Sequence, residues 1–472
     1  MPKTAVKPDE TSRRRIRLAF YGATGTVTGS RYLLTVDEED EQHKFLIDCG
    51  LFQGHKQLRL RNWAPLPFDV QQLDAIVLTH AHIDHSGALP LLARVGYRGP
   101  VYCTSATREL ATILLPDAAH LQEEDASFAN RHGFSKHSPA LPLYTVEDAR
   151  QSLRLLKSVE FDQPHALTPS IFATWHRAGH ILGSAWLTIQ IGGHKLLFTG
   201  DLGRPEDAMM NPPAPASDAD WMVVESTYGN RRHAATDPAD ALRAAIEPTL
   251  HKGGVVVIPT FAVGRAQSVL LYLYRLRQAR KIPSVPVYLN SPMAADATEL
   301  FRHHSDEHRL LPTEFQAIRN MVHIVNTPEE SRHLNTLSGP MIIVSASGMA
   351  TGGRVLHHIK RFGGDPRNTI VFTGFQAAGT RGARLVEGER ELKMFGEYVP
   401  IRAKVVSLDC LSSHADYSEM VEWLRSAGKA PTRCFITHGE PAAADALRLH
   451  LAESLGWRAE VPEYGEVVQL SP

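Results

Sequence analysis

Cysteine is scarce in this chain. The four present, Cys49, Cys103, Cys410 and Cys434, are scattered without a C-x-x-C spacing, which argues against a disulfide framework or a thiolate zinc site and fits a reducing compartment. No stretch approaches the roughly 20 uninterrupted apolar residues of a membrane span. Residues 1–17 are polar and basic, with neither the apolar run nor the cleavage site of a secretory signal. The expected location is therefore cytoplasmic, and a membrane is not an expected partner. An excess of one charge sign is also absent. With a net charge of −1, the field of the whole protein does not announce a nucleic-acid partner, so a polyanion would need a local groove of Arg and Lys. The triplet Arg13, Arg14 and Arg15 reads as a frayed basic tail rather than such a groove. Long repeats and low-complexity segments are missing as well.

What is present points to a layered globular protein. A length of 472 residues exceeds one ordinary domain, so two or more packed units are expected. An apolar content of 43% with 21% charged residues is that of a soluble chain. Short β-rich apolar runs recur at 44–47, 75–79, 195–199, 222–224, 255–259, 341–344, 369–372 and 433–437, and runs this short and continuous read as strands buried on both faces. Helical patterns lie between several of them. The clearest covers 265–280, with Ala266, Val269, Leu270, Leu273 and Leu276 at spacings of three and four after Thr260 as N-cap. Strands alternating with helices predict an α/β fold. The Pro- and Ala-rich stretch 211–220 reads as a loop or linker, and cuts near 230 and 400 are plausible.

Histidine, at 24 residues, is the outlier, and its strongest concentration is His80-Ala81-His82-Ile83-Asp84-His85, directly after the run 75–79. Four potential ligands in six residues are hard to explain structurally. At a strand end turning into a loop, His80 and His82 can point one way while Asp84 and His85 swing to a neighbouring position, which suits two adjacent metals. Asp48, Asp201, Glu225 and His438 each close or follow another apolar run. In open α/β sheets, sites form just beyond the carboxyl ends of strands, and five strands each delivering an ionisable residue there favour an active site. His180, flanked by Gly179 and Gly183, and His414, in Ser412-Ser413-His414-Ala415-Asp416, are weak signals alone. His176, His194, His357 and His358 lack supporting spacing and read as structural or exposed.

Taken together, the His-x-His-x-Asp-His run, the strand-borne Asp before it and the later His and Asp resemble the metallo-β-lactamase superfamily. The continuation resembles its β-CASP branch of nucleases, and the likeness runs from about Ile16 to the C-terminus. It implies an αββα sandwich in two parts, 1–229 and 401–472, with an inserted α/β β-CASP domain at 230–400. The stretches around 259–267, 345–349 and 374–380 look like that insert. The resemblance implies two Zn²⁺ ions per chain, one held by His80, His82, His180 and Asp201, the other by Asp84, His85, the shared Asp201 and His438. Asp48 would support the metal loop, and Glu225, His414 and His438 match the signature positions of the branch. A His at the third of these, His438, is the RNA-processing form and implies an RNA substrate. Mixed N/O donor sets also take Mn²⁺ or Fe.

The reaction expected from this likeness is phosphodiester hydrolysis, of single-stranded RNA, through a metal-bridging hydroxide. Asp84 and Asp201 would act at the metals, His414 would protonate the leaving ribose oxygen, and Glu225 would orient His414 and favour its charged form. Either endonuclease or 5′-3′ exonuclease action is open. The insert would grip the polyanion through Ser347, Gly348, Gly352, Arg354, Gly379, Thr380 and Arg381, where glycines permit close approach to phosphate and arginines stand beside them. Gly353, Gly382 and Arg384 share that setting; Arg265 is a candidate of the same kind, balanced against a structural ion pair; Phe375 reads as packing between lobes. No appended RNA-binding domain is read at either end, and a homodimer is compatible with the sequence. Two other readings compete: a metallo-hydrolase of a small thioester, lactone or phosphodiester, and a catalytically silent RNA-binding subunit. The long insert favours a polymer over the first, and the complete ligand set favours catalysis over the second.

Overall fold

The computed structural model describes residues 15–38, 41–133 and 135–470; Arg13 and Arg14 lie outside them. Arg15 does not belong to a frayed tail, because it opens the strand Arg15–Phe20, in register with Asp37. Two seven-stranded mixed sheets face each other. The first runs Val467–Leu470, Arg15–Phe20, Tyr32–Glu38, Glu41–Ile47, Ala75–Val77, Val101–Thr104 and Leu156–Val159 in spatial order. The second runs Ala459–Glu460, Arg433–Thr437, Trp221–Glu225, His194–Phe198, Ala185–Ile191, Ile171–Arg177 and His165–Ala166.

Alternation along the strands assigns the layers. Phe20, Leu34, Phe45 and Ile47 of the first sheet meet Trp175, Leu187, Phe198, Val223 and Phe435 of the second in one buried cluster. The opposite face of the first sheet, with Leu46, Ile76 and Leu78, is covered by Leu92, Ala111 and Leu115 from the helices Leu89–Arg94 and Ser105–His132. Trp186, Leu197, Met222 and Val224 on the outer face of the second sheet meet Trp423, Leu424 and Leu447 from Tyr417–Arg425 and Pro441–Leu455. The result is an αββα sandwich. Trp175 ties the interior to the site: it is fully buried, and its indole N–H donates to the Leu78 carbonyl at 2.9 Å, two residues before His80. Burying a ring of that size contributes roughly 4–6 kcal/mol.

The inserted unit holds a six-stranded parallel sheet in the order Val322–Ile324, Val287–Asn290, Met341–Ser345, Val255–Pro259, Thr369–Phe372 and Lys404–Ser407. Its central strands, Val255–Pro259, Met341–Ser345 and Thr369–Phe372, are mostly apolar and fully buried because helices cover both faces. Leu242, Ile246, Val269 and Leu273 lie on one side and Val355, Ile359 and Phe362 on the other. The cut expected at 400 precedes the last strand of this sheet. The helix Arg265–Gln278 starts later than its expected cap: Gly264, with φ 78°, is the N-cap residue, and no side chain caps the helix. Thr260 instead continues the strand pairing, its N–H donating to Ser345 O at 3.0 Å. Ala81, Leu110, Ile181, Leu182 and Met210 of the sandwich share a core with the insert, so the two units are fused along the edge that carries the site.

Candidate metal centre and its acid–base pair

At that edge the parallel strands of both sheets end together. Asp48 follows Glu41–Ile47, His80 follows Ala75–Val77, Asp201 follows His194–Phe198, Glu225 ends Trp221–Glu225 and His438 follows Arg433–Thr437. Asp48 and His438 adopt left-handed backbone, with φ of 57° and 49°, a conformation that non-glycine residues keep only where the surroundings impose it. His80 and His82 lie in the extended stretch before the short helix Ile83–Ser86, whose first turn carries Asp84 and His85. This loop is clamped by the Asp48 turn: a Cβ on Gly50 would lie 1.6 Å from the Asp84 carbonyl oxygen, so only glycine fits there.

Two donor sets converge. In the first, His82 Nδ1 lies 3.1 Å from His80 Nε2 and 3.2 Å from His180 Nε2, and Asp201 Oδ2 lies 3.4 and 3.5 Å from the same two nitrogens. In the second, His85 Nε2 lies 3.1 Å from His438 Nε2. Asp84 Oδ2 lies 3.4 Å from His438 Nε2, and Asp201 Oδ1 lies 3.1 Å from His85 Nε2. A tetrahedral ion with ligands at about 2.0–2.1 Å spaces them roughly 3.3–3.4 Å apart, close to what is seen. Asp201 gives one oxygen to each set, and its buried Oδ1 makes no well-aligned hydrogen bond although His85 Nε2 is close, a position that suits a cation. The residues present fit two divalent ions.

The surroundings tune these donors. Burial pushes His80 and His180 well below the ordinary imidazole range and lowers His82 to about 4, which leaves three neutral rings with lone pairs free to ligate. Burial also opposes charge on His85, but Asp201 and Asp48 outweigh it and hold that ring well above the usual range. The negative field that attracts a proton there equally attracts a cation. Asp48 lies behind His85: it accepts from His85 Nδ1 at 2.8 Å and from the Thr79 N–H and hydroxyl, each at 2.8 Å. A carboxylate behind an imidazole fixes the tautomer that presents the opposite nitrogen. Thr227 does the same for His438, its hydroxyl 3.1 Å from Nδ1.

His414 stands over the first set, its ring centroid 4.4 Å from that of His180. Its Nδ1 lies 3.3 Å from both Glu225 oxygens. Burial disfavours the imidazolium, yet Glu225 prevails, assisted by Asp201 and Asp84, and the pKa is raised. Glu225 also accepts from Leu202 N at 2.7 Å and from the Thr227 N–H and hydroxyl, so one buried carboxylate steadies His414, the chain beside Asp201 and the residue behind His438. The His414 segment is pinned by His233, which donates from Nε2 to the His414 carbonyl at 2.8 Å and from its main-chain N–H to Asp416 at 2.8 Å. His233, Asp416 and Glu419 also cluster, but Asp416 caps the helix Tyr417–Arg425 and Glu419 pairs with Arg204, so that group braces the loop. Thr79, Thr227 and His233 were not singled out from sequence. Each acts through a long-range contact; Thr79 adjoins His80 and Thr227 lies just past Glu225, while nothing local marks His233.

The glycine loops of the insert roof this centre. Phe261 lies 6.3 Å from His82 and packs on Gly348; Gly379 packs on His55 of the sandwich, and Gly352 faces open space. Phe375 meets Tyr228 at 6.2 Å. The polar side chains expected to grip phosphate are committed elsewhere. Ser347 accepts from the Thr351 and Gly352 N–H groups, and Thr380 caps the helix Arg381–Val386. Arg354 binds Asn290, Val325 O and Asn326 O; Arg381 binds Lys393 O and Thr351 O; Arg384 pairs with Glu389. These side chains hold the shape of the loops, and a free phosphate grip does not follow from where their donors point.

Comparison with known proteins shows the family of the chain. A metallo-beta-lactamase superfamily domain model matches residues 33–219, a Beta-Casp domain model 266–385, and a Zn-dependent metallo-hydrolase RNA specificity domain model 398–462. Ribonuclease TTHA0252 of Thermus thermophilus is 36% identical over 96% of this chain and 100% of its own. The transcription termination factor FttA of Methanosarcina mazei is 32% identical over 91% of this chain and 67% of its own. An RNase J-like protein of Methanocaldococcus jannaschii is 29% identical over 96% and 100%. A crystal structure from Enterococcus faecalis, of a protein of unknown function, shares the fold at a TM-score of 0.51 and 15% identity, covering 97% of this chain and all of that one. Among the described residues no helix is long and apolar enough to cross a membrane. The chain belongs to the metallo-β-lactamase superfamily, in its β-CASP branch of metal-dependent RNA-hydrolysing enzymes.

Proposed function

We propose that the protein is a zinc-dependent, cytoplasmic ribonuclease that hydrolyses phosphodiester bonds of single-stranded RNA. The observation that carries this reading is the juxtaposition of two donor sets sharing Asp201 with the Glu225–His414 pair beside them. His80, His82, His180 and Asp201 would hold one zinc ion, and Asp84, His85, Asp201 and His438 the other. When bound, such a pair polarises a phosphoryl oxygen and lowers the pKa of a water to near neutrality. His414 turns Nδ1 to Glu225, which leaves Nε2 to hold a proton for the leaving ribose oxygen, and the upward shift of its pKa favours the form that carries it. Glu225 orients the ring and balances its charge. Asp48 and Thr227 keep His85 and His438 facing the centre. Phe261, Gly348 and Phe375 roof the site, which favours an extended single strand over a duplex.

The test is cleavage of an internally labelled single-stranded RNA, with the matching DNA and duplex alongside, by zinc-loaded protein. The reading predicts RNA fragments with little effect on DNA or duplex. Internal fragments would mark endonuclease action and a progressive ladder exonuclease action. RNA left intact across metals and pH would refute it.

A further inference from the structure

Beside the acid–base pair, two buried residues carry polar groups that the fold pairs only weakly. Arg265 is 9% exposed and Tyr228 1%. The Arg265 guanidinium makes one hydrogen bond, a long one of 3.4 Å from Nη2 to Ser413 Oγ. Its Nε is buried and unbonded, and the buried Tyr228 hydroxyl makes no well-formed hydrogen bond, with only the Ser412 side chain beside it. Among the described residues no carboxylate makes an ion pair with Arg265; burial disfavours its charge, and Tyr228, Asp207 and Tyr272 are the groups that most favour it. The other buried arginine, Arg31, differs: Nε and Nη2 donate to the Gly50 carbonyl at 2.9 and 2.7 Å. Arg354 and Arg381 are likewise bonded to carbonyls. A buried, unpaired cation is disfavoured unless an anion completes it, and the planar guanidinium fork matches phosphate.

The location says which anion. Ser413, the one acceptor of Arg265, precedes His414. The guanidinium lies beside Gly374, where a Cβ would sit 3.6 Å from Nη2, so the bare glycine leaves room next to it. The Tyr228 ring lies 6.2 Å from both His414 and Phe375. A guanidinium held by one long hydrogen bond and a tyrosine hydroxyl with only a serine beside it therefore stand on the His414 side of the metal centre, the side of the leaving oxygen. We propose that Arg265 and Tyr228 form a phosphate-binding subsite that takes the RNA backbone phosphate next to the scissile one, on the leaving-group side. This rests on the ribonuclease reading above.

The test measures kcat and KM on single-stranded RNA over a series of salt concentrations for metal-loaded wild type, Arg265→Gln, Arg265→Lys and Tyr228→Phe. Arg265→Gln should raise KM roughly 10–100-fold, as expected for a hydrogen bond to a charged group. The slope of log(kcat/KM) against log salt should become shallower by about 0.7, the value for one phosphate contact on a single strand. Arg265→Lys should restore the slope but only part of the KM, because the charge returns without the fork. Tyr228→Phe, which deletes a single oxygen, should raise KM about 2–10-fold with the slope kept. If wild type cleaves RNA while Arg265→Gln leaves KM and slope unchanged, the subsite is wrong and the ribonuclease reading stands. A fall in kcat alone, with the slope kept, would mark a structural role and also overturn the subsite. Should Arg265→Gln fail to fold, an unchanged KM in Tyr228→Phe decides against it. Wild type that neither binds nor cleaves RNA overturns both proposals.

Discussion

Replacing Glu225 by Gln removes one charge and almost no volume, and the structure fixes what should follow. Glu225 is 2% exposed and lies 3.3 Å from His414 Nδ1 through both oxygens. Substituting a partner that orients a reacting or ligating histidine costs about 10–100-fold in activity, while the proton donor itself contributes about 10²–10⁴-fold. Glu225→Gln should therefore lower kcat by less than His414→Ala does. The pH profile adds a second readout. Glu225 raises the His414 pKa by favouring the imidazolium, so activity that needs this proton is present below the His414 pKa and lost as pH rises through it. Without the carboxylate the pKa falls, and the alkaline loss of kcat should begin at lower pH. Stability should fall too. The amide nitrogen cannot accept, so a donor such as the Thr227 N–H is left unpaired, at about 1–3 kcal/mol. The assay is kcat against pH on labelled single-stranded RNA, with metal content measured on the same preparations. An unmoved alkaline limb, with metal retained and kcat reduced, would refute the electrostatic role of Glu225 and leave it an orienting one alone.

Other substitutions separate support from ligation. Asp48→Asn should weaken metal affinity about 10–100-fold by loosening the His85 tautomer, read by competition with a zinc chelator. Unchanged affinity would mean Thr79 alone holds the loop. Gly50→Ala should lower the melting temperature and disturb metal loading, because its methyl would lie 1.6 Å from the Asp84 carbonyl; a fully stable, loaded variant would contradict the close packing described.

Much of this was legible in the sequence, for identifiable reasons. Strands such as Val255–Pro259 and Thr369–Phe372 are almost wholly apolar because they are buried on both faces, so a single run betrays them. The antiparallel strands Arg15–Phe20, Tyr32–Glu38 and Ile171–Arg177 were not picked out: polar residues interrupt their apolar ones, and that pattern is weaker over a few residues. The N-cap at Gly264 escaped because a positive φ, not a side-chain oxygen, starts the helix Arg265–Gln278. His80, His82, Asp84 and His85 stood out because four ligands crowd six positions. Pairing Glu225 with His414, 189 positions apart, needed the family likeness. The roles of Arg354 and Arg381 were hidden because their guanidinium groups bind carbonyls about 30 positions away, and composition says nothing about where a long side chain ends.

The most direct measurement is zinc stoichiometry and single-turnover RNA cleavage on the same samples of wild type, His414→Ala and Asp201→Asn. Wild type should hold two zinc ions per chain and cleave. His414→Ala should keep both ions and lose about 10²–10⁴-fold in rate, whereas Asp201→Asn should lose zinc, since its oxygens reach both donor sets. A His414→Ala protein that sheds its zinc, or that cleaves at the wild-type rate, would contradict the separation of metal centre from proton donor.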